Sequence, residues 1–234
     1  MEELQRELAT TAEFEDRPVE PEATEPPLVG AVDQAFLGRN TPTHAVSAAV
    51  VYRGETLVDR AVTVTPVERP YIPGLLAFRE AGPIVSSLAA LDRTPTVLLV
   101  DGSGRIHYRE AGLATHIGVL YDVPSVGVAK SLLCGEPARP VDALAAGERV
   151  PIAGAGRMET TDIVGYAYQS RQYPGSTRVN PLYVSPGHRT SAERAVDVVA
   201  EQCAGYKLPE PIRVADRLAG ARARTLGETP RGSD

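Results

Sequence analysis

Residues 2–13 space apolar among polar positions as a short, weakly amphipathic helix does, and a Pro- and Glu-rich connector follows at 17–27. From Leu28 the pattern turns to short β-type runs: LVGAVDQAF, AVSAAVVY and VDRAVTVT. Arg53-Gly54-Glu55, between the second and third, is a hairpin signal, so these runs predict a three-strand meander. After Pro73-Gly74 the spacing becomes helical, with Leu75, Leu76, Ile84, Val85, Leu88 and Leu91 able to share one face. Gly82-Pro83 interrupts that face and predicts a break or a helix start there. TVLLVDG is a continuous apolar run ending on Asp101, the pattern of a strand buried on both sides. A helix at about 111–121 and the strand SVGVA complete a βαβ unit. ERVPIA, DIVGYAYQ and PLYVS read as further strands, followed by a helix from Ser191 to Cys203. The tail from Ala219 lacks apolar content and is expected to be disordered.

This order predicts an α/β fold: a ribonuclease-H-like mixed sheet, an antiparallel three-strand meander plus parallel strands, flanked by helices. In such a sheet the first and fourth strands lie side by side and parallel. The chain divides into an N-terminal helical arm and connector at 1–27, one catalytic domain at 28–218 and the tail at 219–234. A length of 234 residues suits one substantial core. No apolar run approaches the roughly 20 residues that cross a bilayer. The acidic start is unlike a signal peptide, so a cytoplasmic protein with no membrane partner, and a monomer, is expected.

The net charge of −6 argues against nonspecific coating of nucleic acid. It is compatible with a local positive face, because the basic residues are arginines apart from Lys130 and Lys207, and many carboxylates lie in the first 25 residues. Cys134 and Cys203 have no zinc-type spacing and read as small buried hydrophobes.

Strand order gives the carboxylates their meaning. Asp33 falls at the end of the first strand and Asp101 at the end of the fourth, so parallel neighbours bring them to one sheet edge, where ligands of open α/β sheets bind. Glu80, near the connecting helix, can lean over the same point. Each acid alone reads as a turn or cap residue. Three together repel, and a hard divalent cation relieves them. Mg²⁺ keeps several waters in such a site, one of which can act as nucleophile on a phosphodiester.

Other residues carry two readings each. His107, six residues after Asp101, is a general acid/base or a loop histidine bonded to a backbone carbonyl, and spacing does not choose. His116 reads as a contact behind the ligands or to phosphate. Lys130 is a phosphate contact or a solvated loop lysine, and the scarcity of lysine favours the first. Pro70-Tyr71-Ile72-Pro73 puts an aromatic on a stiff turn, suited to wedging into a base stack or to capping the core. Gly102, Gly104 and Gly112 give room for a base or make turns.

The stretches VDQAF, RPYIPGLLAFRE, LLVDGSGRIHYREAGLATHIGVL, PSVGVAKSLLCG, PLYVSPGHRTS and GYKLPEPIRVADRLA together resemble the endonuclease V family, nucleases that recognise deaminated bases, chiefly hypoxanthine in inosine. The resemblance runs from about residue 3 to 218. It implies a metal site of Asp33, Glu80 and Asp101 approached by His188, with Mg²⁺ as cofactor and Mn²⁺ as a substitute. His107 and Lys130 join the three acids as catalytic residues. Pro70, Tyr71, Ile72 and Pro73 become the strand-separating wedge; Gly74, Leu76, Gly102 and Gly112 line the base pocket; Lys130 and His116 sit near phosphates. The implied partner is DNA containing deaminated bases, cut at the second phosphodiester 3′ to the lesion to leave 3′-hydroxyl and 5′-phosphate ends in DNA repair. Two alternatives stay open, inosine-containing RNA as main substrate and a non-cleaving binder of deaminated strands. Two positions depart from the family pattern: Ser103 stands where His is usual, and Gln34-Ala35 follows Asp33.

Overall fold

The computed structural model describes residues 2–16, 26–38, 42–67 and 77–227. The N-terminal helix α1 spans Glu2–Thr11, and three strands follow, β1 (Leu28–Leu37), β2 (His44–Arg53) and β3 (Thr56–Pro66). They form the expected meander. Arg53 pairs with Thr56 across a two-residue turn in which Gly54 takes φ 57°, a conformation that suits glycine. Helix α2 (Ala77–Ala89) leads to β4 (Val97–Asp101), and α3 (Leu113–Tyr121) leads to β5 (Ser125–Ala129). Strands β6 (Glu136–Pro137), β7 (Arg149–Ala153), β8 (Ile163–Tyr168) and β9 (Leu182–His188) are followed by helices α4 (Ala192–Glu201) and α5 (Glu210–Gly227).

All nine strands join one mixed sheet in the order β3-β2-β1-β4-β5-β9-β8-β7-β6, with β1, β4 and β5 mutually parallel. Helices cover both faces. Val29, Ala31, Leu99, Val126 and Val128 pack with Val196, Ile212 and Ala215 of α4 and α5. Val32, Leu98 and Val100 pack with Ile84, Leu88 and Ile117 of α2 and α3. The VLLV run of β4 is buried on both sides, which explains its lack of alternation.

Three expectations need correction. Helix α2 runs unbroken through Gly82-Pro83. Proline removes a single helical hydrogen bond, while Pro83 and Ile84 are both buried, so burial outweighs that local defect. Asp33 lies inside β1 and not at its end; it is the pairing with β4 that stops at Val32↔Val100, one residue earlier. The expected tail is helical from before Ala219 to Gly227, with Ala219 fully buried. Residues 228–234 lie outside the described residues.

Candidate active site

Side chains alternate between the faces of a strand, and this parity brings the site together. On β1, Val29, Ala31 and Ala35 pack toward α5, so Asp33 shares their side. On β4, Leu99 packs toward α5 and places Asp101 there two residues later. On β5, Val126 and Val128 do the same for Lys130. Register completes the juxtaposition, because Val32 pairs with Val100 and Asp101 pairs with Val128.

The Lys130 Nζ donates to Asp101 Oδ2 at 2.6 Å. Burial opposes the lysine's charge, but this bond and the fields of Asp101, Asp33 and Asp216 prevail and raise its pKa. Burial, and then the charge of Asp101, push the Asp33 carboxyl up to about 7, against the Gln34 amide and Lys130. Burial likewise carries Glu80, on α2, up to about 7; Arg79 opposes it and Asp101 adds to it. Asp33 and Glu80 therefore each feel Asp101, from opposite sides of the sheet edge. Gln34 joins the two sides: its N–H donates to Asp33 Oδ1 at 2.7 Å, its Nε2 donates to the Glu80 carbonyl at 3.3 Å, and its Oε1 accepts from Ser47.

Among the described residues no three His, Cys, Asp or Glu side chains stand close enough together to hold a metal ion as they are placed. The donor set nonetheless fits a hard divalent cation. Its acids are oxygen donors, two of them pushed up to about 7 by burial first and by the charge of Asp101 after it, the condition that a cation relieves.

The histidines are distributed differently. His107 is buried in the turn after Asp101, where its Nδ1 accepts from the Arg109 N–H at 3.2 Å and its ring lies against Tyr108. His116, on α3, is buried with Nδ1 at 2.9 Å from the Gly112 carbonyl and its ring edge-on to Phe78. Burial lowers its pKa despite that bond. His188, expected near the metal, lies apart from the three acids. Antiparallel β9 sets it opposite Ser125, the start of β5, three residues back from the Val128 that faces Asp101. There it accepts the Glu13 amide on Nδ1 and lies 3.8 Å from Asp122.

Gly104 and Gly112 have a packing reason. A Cβ on Gly104 would overlap the Pro186 carbonyl, and one on Gly112 would overlap the Ser103 backbone, where the chain folds back between Asp101 and α3. Gly102 donates its N–H to Val128 O beside Asp101. Pro70, Tyr71, Ile72, Pro73, Gly74 and Leu76 lie outside the described residues.

One acid escaped the sequence reading. Asp216, on α5, acts on both Asp33 and Lys130. Its helix was legible: Pro211 stands in the first turn, and Ile212, Ala215 and Ala219 recur at helical spacing. Asp216 follows Ala215 directly.

The endonuclease V family model matches residues 6–217. Endonuclease V of Natronomonas pharaonis is 58% identical, covering 92% of this chain and 88% of its own length. The crystal structure of the catalytic domain of human endonuclease V superposes with a TM-score of 0.82 at 31% identity, covering 98% of this chain and 96% of that one. Endonuclease V of Ciona intestinalis, solved with a 24mer DNA containing an inosine followed by a ribo-adenosine, gives a TM-score of 0.77 at 27% identity, with coverage of 96% and 97%. With the model spanning almost the whole chain and a relative well above half identical, this chain belongs to the endonuclease V family.

Proposed function

We propose that this nuclease hydrolyses strands carrying a deaminated base, chiefly inosine in DNA, with a divalent metal ion, Mg²⁺ or in its place Mn²⁺, held by Asp33, Asp101 and Glu80. The observation that carries this reading is the pair Asp33 and Asp101, side by side on parallel strands, with Lys130 on one and a pKa of about 7 on the other. A family relative's complex with inosine-containing DNA supports the substrate.

The cation would supply Lewis acidity toward the phosphate and lower the pKa of a bound water. The rest belongs to the chain. Asp33 and Asp101 give oxygen donors from two rigid strands, which keeps the phosphate in register. Lys130 exchanges Asp101 for a phosphate oxygen when the strand enters. Glu80 adds a third oxygen donor from α2, and the attacking water releases its proton to solvent. Water adds to phosphorus as it loses its proton, the P–O3′ bond breaks and the departing 3′ oxygen takes a proton from solvent, giving 3′-hydroxyl and 5′-phosphate ends. We place the cut at the second phosphodiester 3′ to the base, as an opening step of DNA repair in the cytoplasm. No helix among the described residues is long and apolar enough to cross a membrane.

The ribo-adenosine after the inosine in the relative's ligand favours a second reading, inosine-containing RNA as substrate. Matched DNA and RNA oligonucleotides bearing one inosine, incubated with and without Mg²⁺, decide both. Metal-dependent nicking of the inosine DNA is the expected result. No cleavage of either strand would refute the reading, and cleavage of RNA alone would replace it by the second.

A further inference from the structure

Beside the catalytic edge a groove of about 570 Å³ opens, lined by Lys130 and Asp216 at its inner end and by Tyr173, Tyr206, Lys207 and Arg217 beyond. Both lysines of a chain with a net charge of −6 are in this groove. Lys207 has like charges near it, Lys130 and Arg178, and no carboxylate pairs with it among the described residues. Tyr173 and Tyr206 are nearly half exposed, at 49% and 46%. Guanidinium groups hold the two rings: Arg171 lies 4.2 Å from the Tyr173 centroid and 5.9 Å from that of Tyr206, and Arg213 lies 3.4 Å from Tyr206. Half-exposed aromatic rings held by guanidinium groups, with Lys207, Arg217 and Lys130 beside them, are what a flexible polyanion with flat bases requires. A protein partner would gain little from a surface with so few aliphatic side chains.

We propose that this groove holds a single-stranded stretch of the polynucleotide flanking the scissile phosphate, with bases stacked on Tyr173 and Tyr206 and phosphates on Lys130 and Lys207. It rests on the reading of the protein as a polynucleotide hydrolase, and extends the substrate contact from the lesion to its flank. The strand passes from the carboxylate pair over Lys130, which serves both the site and the groove. Affinity then depends on the length of strand present, and the flank contributes without regard to sequence, since every base offers a π-face.

The test compares wild type with Tyr173→Ala/Tyr206→Ala, Tyr173→Phe/Tyr206→Phe and Lys207→Gln, all checked for native circular dichroism. Binding of a labelled single strand of about 12 thymidines at low salt is measured by anisotropy, in a site of the size such grooves occupy. Single-turnover nicking is measured on a long inosine strand and on one cut back close to the inosine. The double alanine variant should bind the thymidine strand and the long inosine strand about 5- to 150-fold more weakly per ring, with the cleavage rate of bound substrate unchanged. It should treat the trimmed substrate as wild type does. The phenylalanine variant should match wild type, and Lys207→Gln should lower the salt slope of binding by about 0.7. Unchanged thymidine binding in the alanine variant, or equal losses on long and trimmed strands, would overturn the groove. Weakened thymidine binding without inosine-dependent nicking by wild type would uphold the groove and refute the proposed function instead.

Discussion

The two ends of strands β4 and β5 carry similar side chains in opposite states of balance. At the start of β5, His188 accepts the Glu13 amide, Arg189 forms an ion pair with Asp122 at 2.6 Å and Asp16 accepts from Ser191. The N-terminal arm closes over that end and its charges are matched from within the chain. At the other end Asp33, Glu80 and Asp101 have Lys130 as their one bonded cation among the described residues, and two of the acids are driven to about 7. A cluster that the protein satisfies by itself holds the fold; one left short of positive charge is built for a ligand.

The largest expected effect breaks the open end. Asp101→Asn should cut Mg²⁺-dependent nicking of inosine DNA by more than about 100-fold, since even partners behind a metal's direct ligands are worth 10- to 100-fold. Its melting temperature should stay near that of wild type. A variant that nicks as wild type does would remove Asp101 from the site.

The closed end should behave in the reverse way. His188→Ala removes a buried ring and the acceptor of the Glu13 N–H, and should cost about 0.5–1.5 kcal/mol of stability by chemical denaturation for the lost hydrogen bond. Nicking at saturating metal should stay within about threefold of wild type. A collapse of activity with little loss of stability would return His188 to the metal.

Smaller effects sharpen the contrast. The carboxyls of Asp33 and Glu80 hold protons in the native state that the unfolded chain releases at its ordinary values of 3.8 and 4.5. Stability of the metal-free protein should therefore fall as pH rises from about 4 to about 7 and level off above. Asp33→Asn should flatten that slope and raise the melting temperature at pH 7.5 by at least about 2–4 °C, the shift that about 1 kcal/mol brings at this size. A lower melting temperature than wild type would show that the Asp33 carboxylate is satisfied. Smallest of all, Asp122→Asn at the closed end should cost about 1 kcal/mol or less, as exposed ion pairs do, with no change in nicking. A loss above that would make Asp122 part of the core.

Much of the open end was legible in sequence because strand periodicity and order carry it. Asp101 closes an apolar run, Asp33 sits in a β pattern, and the parallel pairing of their strands follows from meander-then-βαβ order. What escaped depends on tertiary packing. Asp33 is the first β1 residue past the pairing with β4, a matter of sheet register that no local pattern contains. Pro83 reads as a break, yet its burial against the sheet keeps α2 whole. His188 precedes a helix in a stretch resembling the family's, but antiparallel β9 carries it to the far end of β5. α5 hides behind an arginine-rich composition although Ile212, Ala215 and Ala219 give it a face, and with it went Asp216.

The measurement that bears most directly on the carboxylate pair is proton release on metal binding. Mg²⁺ or Mn²⁺ is titrated calorimetrically into the protein at pH 6.5, in two buffers of different ionisation enthalpy. Because Asp33 and Glu80 are largely protonated there, binding should expel between one and two protons, and Asp33→Asn should lower both the affinity and the count. Binding without proton release, equally tight in Asp33→Asn, would contradict a cation site at the β1–β4 edge.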